Sequence, residues 1–385
     1  MSNQSLRLFD PFQIKGLKLS NRFVLPGMQR GWSVNGAPTS HLTDYYVRRV
    51  RGGVGLIVTE SVAVDHPSSS RSPVFSRLDD KTFEAWQHCI SAVHAEGGRI
   101  MLQLWHEGAI RKDEPGADGE VVTPTLSPSG LMTTGRTRGR AATLAELEDI
   151  KDAFVRSAIL AKKAGADGIE MHGAHGYFLD QFLWQDTNRR DDIYGGATLA
   201  ERVRYPAHIA RSIRQACGED FIVSFRFSQW KEIALQAKIA KTVEDLGDFV
   251  SVLRDAGVDM FHVSTRRFWE PEWPESQKTL AHWVKDLSGL PVIAVGSVGL
   301  STDVMETVQG VEPTYDVGAS VALLERGLNQ GDFDLIAVGR SQISDPDWVN
   351  KVRDGRFNDI IGFSRSALGK LDGETDHMEG VPQRK

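Results

Sequence analysis

Residues 222–228 read IVSFRFS. The run is short and dominated by Ile, Val and Phe, as a strand buried on both faces requires, and such strands build parallel sheets. Working outward, the same kind of run recurs along the chain: RFVLPGM (22–28), GLIVTES (55–61), RIMLQLW (99–105), GIEMHG (168–173), MFHVST (260–265), PVIAVGS (291–297) and LIAVGR (335–340). With IVSFRFS they make eight strands. Between them lie segments of helical character. Segment 79–97 sets Phe83, Trp86, Ile90 and Val93 on one face and closes on Gly97-Gly98. Segments 143–164 and 198–216 each open on a Thr-x-x-Glu capping box, Thr143/Glu146 and Thr198/Glu201. Segment 242–256 ends in Asp-Ala-Gly before the next strand. Strictly alternating strands and helices point to a (β/α)8 TIM barrel, with a doubly wound open sheet of six or more strands as the alternative.

Two stretches stand outside the alternation. Residues 6–20 read as an N-terminal hairpin under the barrel. Residues 107–142, rich in Gly, Pro, Thr and Arg, follow the third strand and read as a long lid loop over the mouth. Segment 305–333 is long for one connection and has room for surface structure. The last stretch, 370–385, is polar and reads as a loosely ordered tail. No linker composition divides the chain, so 1–385 is expected to form one domain.

The net charge of −6 does not suit a phosphate-backbone binder, so no nucleic-acid partner is expected. No apolar window approaches the roughly 20 residues needed to span a bilayer. The start, MSNQSLRLFDPF, has no apolar signal core. Cys89 and Cys217 form no CxxC, which suits a reducing compartment. A cytoplasmic protein without membrane partners is the expectation.

Barrel sites lie at the C-terminal strand ends. There stand Pro26-Gly27-Met28-Gln29, then Gln103, Trp105 and His106, then His172, His175 and Tyr177. Arg226, His262 and Ser264 follow, and then Gly296-Ser297 and Gly339-Arg340. The last two pairs end strands seven and eight, where barrels favour phosphate, and Arg340 adds a charged fork. Glycines at strand ends also serve simple turns. Arg226, inside an apolar run, needs an anion or acceptors: a carboxylate such as Glu170, or an electron-rich ring. The amide of Gln103 can donate to and accept from a planar heterocycle.

Several jobs are open to His172 and His175. As zinc ligands they lack partners, since no HExxH and no nearby Cys accompanies them. They can act as acid and base, since His titrates near neutrality. They can also aim two N–H donors at one oxygen. Tyr177 is then a proton donor on the same wall, or simply a buried ring with a bonded hydroxyl.

These residues resemble the Old Yellow Enzyme family of flavin-dependent ene-reductases, from about Leu8 to Gly355. The matching pieces are LSNRFVLPGMQR, YYVRRVRGGVGLIVTES, QLWHEG, AGADGIEMHGAHGYFLDQFL, NRRDDIYGG, ERVR, SFRFS and DLIAVGR. The resemblance implies non-covalent FMN at the barrel mouth, reduced by NADH or NADPH. It implies reduction of activated C=C bonds in α,β-unsaturated carbonyl or nitro compounds. It lays Pro26, Gly27, Met28 and Gln29 along the flavin, brings Ser61 to its ring, and sets Gln103 and Arg226 at its pyrimidine edge. Gly296, Ser297, Gly339 and Arg340 would hold the phosphate. His172 and His175 would grip the substrate oxygen, Tyr177 would protonate the alkene, and Trp105 would wall the pocket. Loop six, TRRFWEPEWPE (265–275), offers Phe268 or Trp269 as a cover.

The chain departs from the family at Pro-Gly-Met-Gln, where Ala-Pro-(Met/Leu)-(Thr/Cys) is usual, and at WHEGA, where WHxGR is usual. Gln29 therefore stands at a position that tunes the flavin. Two other readings are a flavin-free, phosphate-binding lyase or aldolase and a flavin-binding module of low turnover. A homo-oligomer is left open.

Overall fold

A computed structural model describes residues 6–112 and 123–371. Eight parallel strands close into a barrel: β1 (Phe23–Leu25), β2 (Leu56–Ala63), β3 (Arg99–Trp105), β4 (Gly168–His175), β5 (Ile222–Lys231), β6 (Met260–Ser264), β7 (Val292–Val295) and β8 (Leu335–Ala337). Each strand pairs with the next in sequence, and β8 returns to β1. The TIM barrel, not the open sheet, is the architecture.

The outer ring is α1 (Ser40–Arg51), α2 (Phe83–Ala95), α3 (Leu144–Lys163), α4 (Arg204–Cys217), α5 (Val243–Asp255), α6 (Leu280–Ser288), α7 (Val317–Gln330) and α8 (Trp348–Arg353). The capping boxes at Thr143/Glu146 and Thr198/Glu201 both form. The second does not open one continuous helix. It starts the short turn Leu199–Arg202, and the chain re-enters a helix at Arg204. The long connection after β7 holds a short helix, Val304–Val308, besides α7.

Two apolar layers position the site. Outward strand residues such as Phe225, Phe227 and Phe261 pack under the helices. Inward residues Val24, Leu56, Val58, Met101, Ile222, Met260, Ile293 and Leu335 fill the lower barrel. The N-terminal hairpin, Phe12–Ile14 against Leu17–Leu19, closes that end by adding Leu17 and Leu19 to the inner cluster. Lys15 at its turn pairs with Asp259 at 2.5 Å. The bottom of the barrel interior is therefore plugged by apolar side chains, with the Lys15–Asp259 pair at its rim, and the inward-facing polar cluster lies toward the upper, C-terminal end.

In the long loop after β3, Leu126–Ser127 pairs with Arg140–Ala141 and Leu131–Thr133 with Arg136–Thr137. The tip of the expected lid, residues 113–122, lies outside the described residues, as do 372–385 of the expected tail.

Candidate active site

One polar cluster crosses the barrel above its apolar plug. Glu170 of β4 is fully buried at its centre. It accepts from Gln103 Nε2 at 2.8 Å and Ser224 Oγ at 3.2 Å, and lies 2.8 Å from His262 Nδ1. Burial pushes its carboxyl up, but His262, Arg226 and Gln103 more than reverse this and hold it at about 2. Ser61 Oγ donates to Gln103 Oε1 at 2.7 Å. The amide of Gln103 is thus locked between Ser61 and Glu170. Gly27 is a glycine for a local reason: a Cβ there would lie 2.7 Å from both Gln103 Nε2 and the Thr59 carbonyl oxygen.

Glu170 does not hydrogen-bond Arg226. The guanidinium donates instead to the Gly27 carbonyl at 3.3 Å and to Ser264 Oγ at 3.4 Å, both long, and its Nε is buried without a partner. Arg226 is only 6% exposed and, among the described residues, has no carboxylate in ion-pair contact. Burial lowers its pKa, and Glu170 opposes the shift.

This layer forms the floor of a cavity of about 610 Å³, within the range of ordinary ligand sites. Of the residues expected there, Pro26, Gly27, Met28, Gln29, Ser61, Gln103, Trp105, His172, His175, Tyr177, Arg226, Ser264, Gly296, Ser297, Gly339 and Arg340 line it, and His106, His262, Phe268 and Trp269 do not. Trp269 packs edge-on against Phe268 at 5.1 Å instead, away from the cavity. The backbone explains this: Phe268 N–H is pinned to the Gly296 carbonyl, and its ring lies on Phe333, so the pair turns toward the outer core.

The tryptophan that lines the cavity beside His175 is Trp230. Its ring lies 4.7 Å from His175 at 33°, and its Nε1 donates to the Ser264 carbonyl at 3.1 Å. The opposite wall is Trp105, edge-on to Tyr177 at 5.3 Å and to Phe75 at 5.9 Å. The apolar run IVSFRFS ends at Ser228, and Gln229-Trp230-Lys231 beyond it is polar and charged. The strand runs on to Lys231, and the alternation from Arg226 through Ser228 to Trp230 was the available clue.

His172 and His175 stand with ring centroids 5.3 Å apart, and Tyr177 lies 5.2 Å from His172. Burial, with Arg226 beside it, pulls His172 down to about 3, and the same causes hold His175 well below its ordinary value. Both rings are therefore neutral near pH 7, each with one N–H and one acceptor nitrogen. His172 Nδ1 is buried without a partner, and His175 Nε2 lies 2.8 Å from Ser264 Oγ. Among the described residues, no group of three or more His, Cys, Asp or Glu side chains could hold a metal ion.

At the other end, the loops after β7 and β8 meet. Arg340 lines the cavity, but its fork also ties these loops together. It donates to the carbonyls of Asp303 at 2.9 Å and Thr302 at 2.7 Å, and to Ser297 Oγ at 3.2 Å. Burial lowers its pKa to about 10. Gln29 donates weakly to Glu60 at 3.5 Å, and its Oε1 is buried without a partner.

A barrel with a locked amide, an arginine lacking an anion and two neutral histidines around one mouth defines a cofactor-dependent enzyme site more readily than a bare phosphate pocket. The family model for the NADH:flavin oxidoreductase / NADH oxidase family matches residues 7–359, and the chain belongs to that family, the Old Yellow Enzyme family. It is 36% identical over 381 residues to an NADH oxidase of Thermoanaerobacter brockii, covering 95% of this chain and 54% of that protein. It is 29% identical over 363 residues to 12-oxophytodienoate reductase 7 of Oryza sativa subsp. japonica, covering 90% and 87%. The structure of Old Yellow Enzyme from Pichia sp. AKU4542 superposes with a TM-score of 0.76 at 25% identity, covering 94% and 90%. The chain thus spans about half the length of the NADH oxidase that it matches.

Proposed function

We propose that this barrel is an FMN-dependent NAD(P)H oxidoreductase that reduces activated C=C bonds in small unsaturated carbonyl or nitro compounds. The observation that carries this reading is the convergence of Gln103, Arg226, His172, His175 and Tyr177 on one cavity. The residues present suit FMN. Arg226 and His172 keep buried nitrogens without partners, Gln103 offers a fixed amide, and Gly27 lets the backbone pass against that amide where a Cβ would not fit. FMN, when bound, supplies hydride acceptance and donation at its N5.

The chain's own residues do the rest. Gln103 and Arg226 hold the pyrimidine edge, and the buried positive charge of Arg226 favours an electron-rich ring. Pro26, Gly27, Met28, Gln29 and Ser61 line the flavin's flank. Gly296, Ser297, Gly339 and Arg340 receive the phosphate. His172 and His175 present N–H donors to the oxygen of the substrate's activating group, polarising the conjugated double bond. Tyr177 delivers the proton to Cα. Trp105 and Trp230 wall the substrate and limit water.

The name of the NADH oxidase relative supports NADH as a reductant, and the name of the plant reductase supports a reductive direction. A lyase acting through a lysine Schiff base is less well supported. No lysine lines the cavity among the described residues, and Lys231, which ends β5, is buried against Asp180. The net charge of −6 supports a small-molecule substrate over nucleic acid. No helix among the described residues is long and apolar enough to cross a membrane.

The test is anaerobic. FMN-loaded protein should bleach on adding NADH or NADPH and regain its yellow colour on adding cyclohexenone. Protein that takes up no FMN, or that bleaches and never transfers electrons to any activated alkene, would overturn the reading.

A further inference from the structure

His175 adopts a conformation that its side chain does not favour. Its φ is 65°, in the left-handed region, and Gly176 follows at 92°. A residue with a Cβ stays there only where its surroundings leave no alternative. Here each backbone group of the turn is claimed. Ser228 Oγ accepts from His175 N–H at 3.0 Å, and Glu232 N–H donates to the His175 carbonyl at 3.3 Å. Asp180 Oδ2 accepts from Gly176 N–H at 2.6 Å, and Gln181 Nε2 donates to the Gly176 carbonyl at 2.7 Å.

Lys231 contacts the residues that supply two of these anchors, Asp180 through its carboxylate and Ser228 through its carbonyl, while Ser228 Oγ itself donates to the Trp230 carbonyl at 2.6 Å. Lys231 Nζ donates to Asp180 Oδ1 at 2.6 Å and to the Ser228 carbonyl at 3.0 Å. Lys231 sits opposite His175 where the β4–β5 ladder shifts register. Both Lys231 and Asp180 are fully buried, and neither lines the cavity. A buried ion pair is a poor source of net stability, because desolvating two charges offsets their attraction. Apolar groups of similar volume often serve as well or better. The pair's geometric effect is definite: it ties β4, β5 and the turn 175–177 into one unit.

We propose that Lys231 and Asp180 are positioning residues, which act through Ser228 and Gly176 to fix the left-handed turn that aims His175 at the substrate oxygen. The proposal rests on the ene-reductase reading for what His175 does, but the conformational claim stands by itself. Without the pair, residues 175–177 relax toward ordinary backbone angles, and the two imidazoles no longer converge on one oxygen.

The test compares the FMN-loaded parent with the double variant Asp180→Leu, Lys231→Met, and with Ser228→Ala and Asp180→Asn. Binding of para-chlorophenol, read from flavin absorbance, reports the oxygen grip. Thermal melting reports stability, and a crystal structure reports the φ of His175. The double variant is expected to fold and to melt somewhat below the parent, because the Gly176 N–H and the Ser228 carbonyl lose partners, to bind the phenol at least tenfold more weakly and to lose the left-handed φ. The single variants are expected to weaken phenol binding several-fold. A double variant that binds the phenol as tightly as the parent, with His175 still near φ 65°, overturns the proposal. If it does not fold, unchanged phenol affinity in both single variants overturns it instead. A parent that binds neither FMN nor the phenol counts against the ene-reductase reading alone. The φ of His175 in the double variant still decides the clamp.

Discussion

Tyr177 opens the short helix Phe178–Leu183 with extended backbone angles, and its ring meets Trp105 and His172. That placement sets the hydroxyl on the wall that carries the two histidines. A general acid there acts only when the alkene carbon takes up a proton, so it matters in one half of the cycle. Tyr177→Phe is expected to slow alkene reduction by about 10²- to 10⁴-fold, the usual contribution of a positioned acid. Flavin reduction by NAD(P)H should change little. Stopped-flow traces of the two half-reactions separate these outcomes, and equal losses in both would remove Tyr177 from the acid role. The histidines are poorly suited to proton transfer, which supports the proposed acid role of Tyr177. His172 at about 3 is a weak base at neutral pH. It is better placed to donate a fixed N–H than to shuttle a proton.

The strand ends set the flavin's flank, and Gly27 shows how tightly. A methyl added there would lie 2.7 Å from Gln103 Nε2 and from the Thr59 carbonyl. Either β1 moves away from β2, or Gln103 leaves Glu170. Gly27→Ala should cost about 1–3 kcal/mol of stability, as overpacking usually does. It should also weaken FMN binding at least tenfold, because the displaced amide is the one proposed to hold the flavin's pyrimidine edge. Quenching of FMN fluorescence on titration measures the second effect, and full-affinity binding would show that Gln103 does not need its present place. The glycine itself was legible in sequence, and so was the strand that carries it, since parallel barrel strands advertise themselves as short apolar runs. The hairpin under the barrel and the capping boxes at Thr143 and Thr198 were legible because their signals are local. What escaped was whatever depends on pairing across strands. For Arg226 the sequence leaves open a carboxylate such as Glu170 or an electron-rich ring, and only the cross-strand bonds of Glu170 to Gln103, His262 and Ser224 show that the ion pair does not form. Trp269 was placed over the substrate, but the backbone bond of Phe268 to Gly296 turns both rings outward. The continuation of β5 to Lys231 was hidden because a polar, charged strand end looks like a loop until its partners are known.

Across the molecule, the upper barrel concentrates buried ionisable groups, and their shifts oppose one another. Burial is the largest cause for His66, His106, His172, His175 and His262, and all five are lowered. A depressed base binds fewer protons when folded than when unfolded. Its contribution is complete above the unfolded histidine value of about 6.5 and is lost as pH falls below it. Asp180, pushed up to about 6 by burial against the pull of Lys231, has the opposite slope. Its folded form holds a proton that the unfolded chain has released, so it favours folding less as pH rises from about 4 toward 6. Glu60, Glu107, Glu232 and Glu272, raised by burial, act in the same sense. Glu170, held at about 2, loses its contribution only in stronger acid. The unfolded histidine value of about 6.5 places the histidines' loss at the start of acidification, whereas the raised carboxyls begin to act from an unfolded value of about 4, so the protein should melt at progressively lower temperature as pH falls from 6.5 toward 5. His172→Gln should flatten the slope, because it removes the ring that must stay neutral beside Arg226. Calorimetry of both proteins at several pH values in one low-salt buffer series checks the sign. A parent whose melting temperature rises on acidification would mean that the buried carboxyls, led by Asp180, dominate the titration of the barrel mouth.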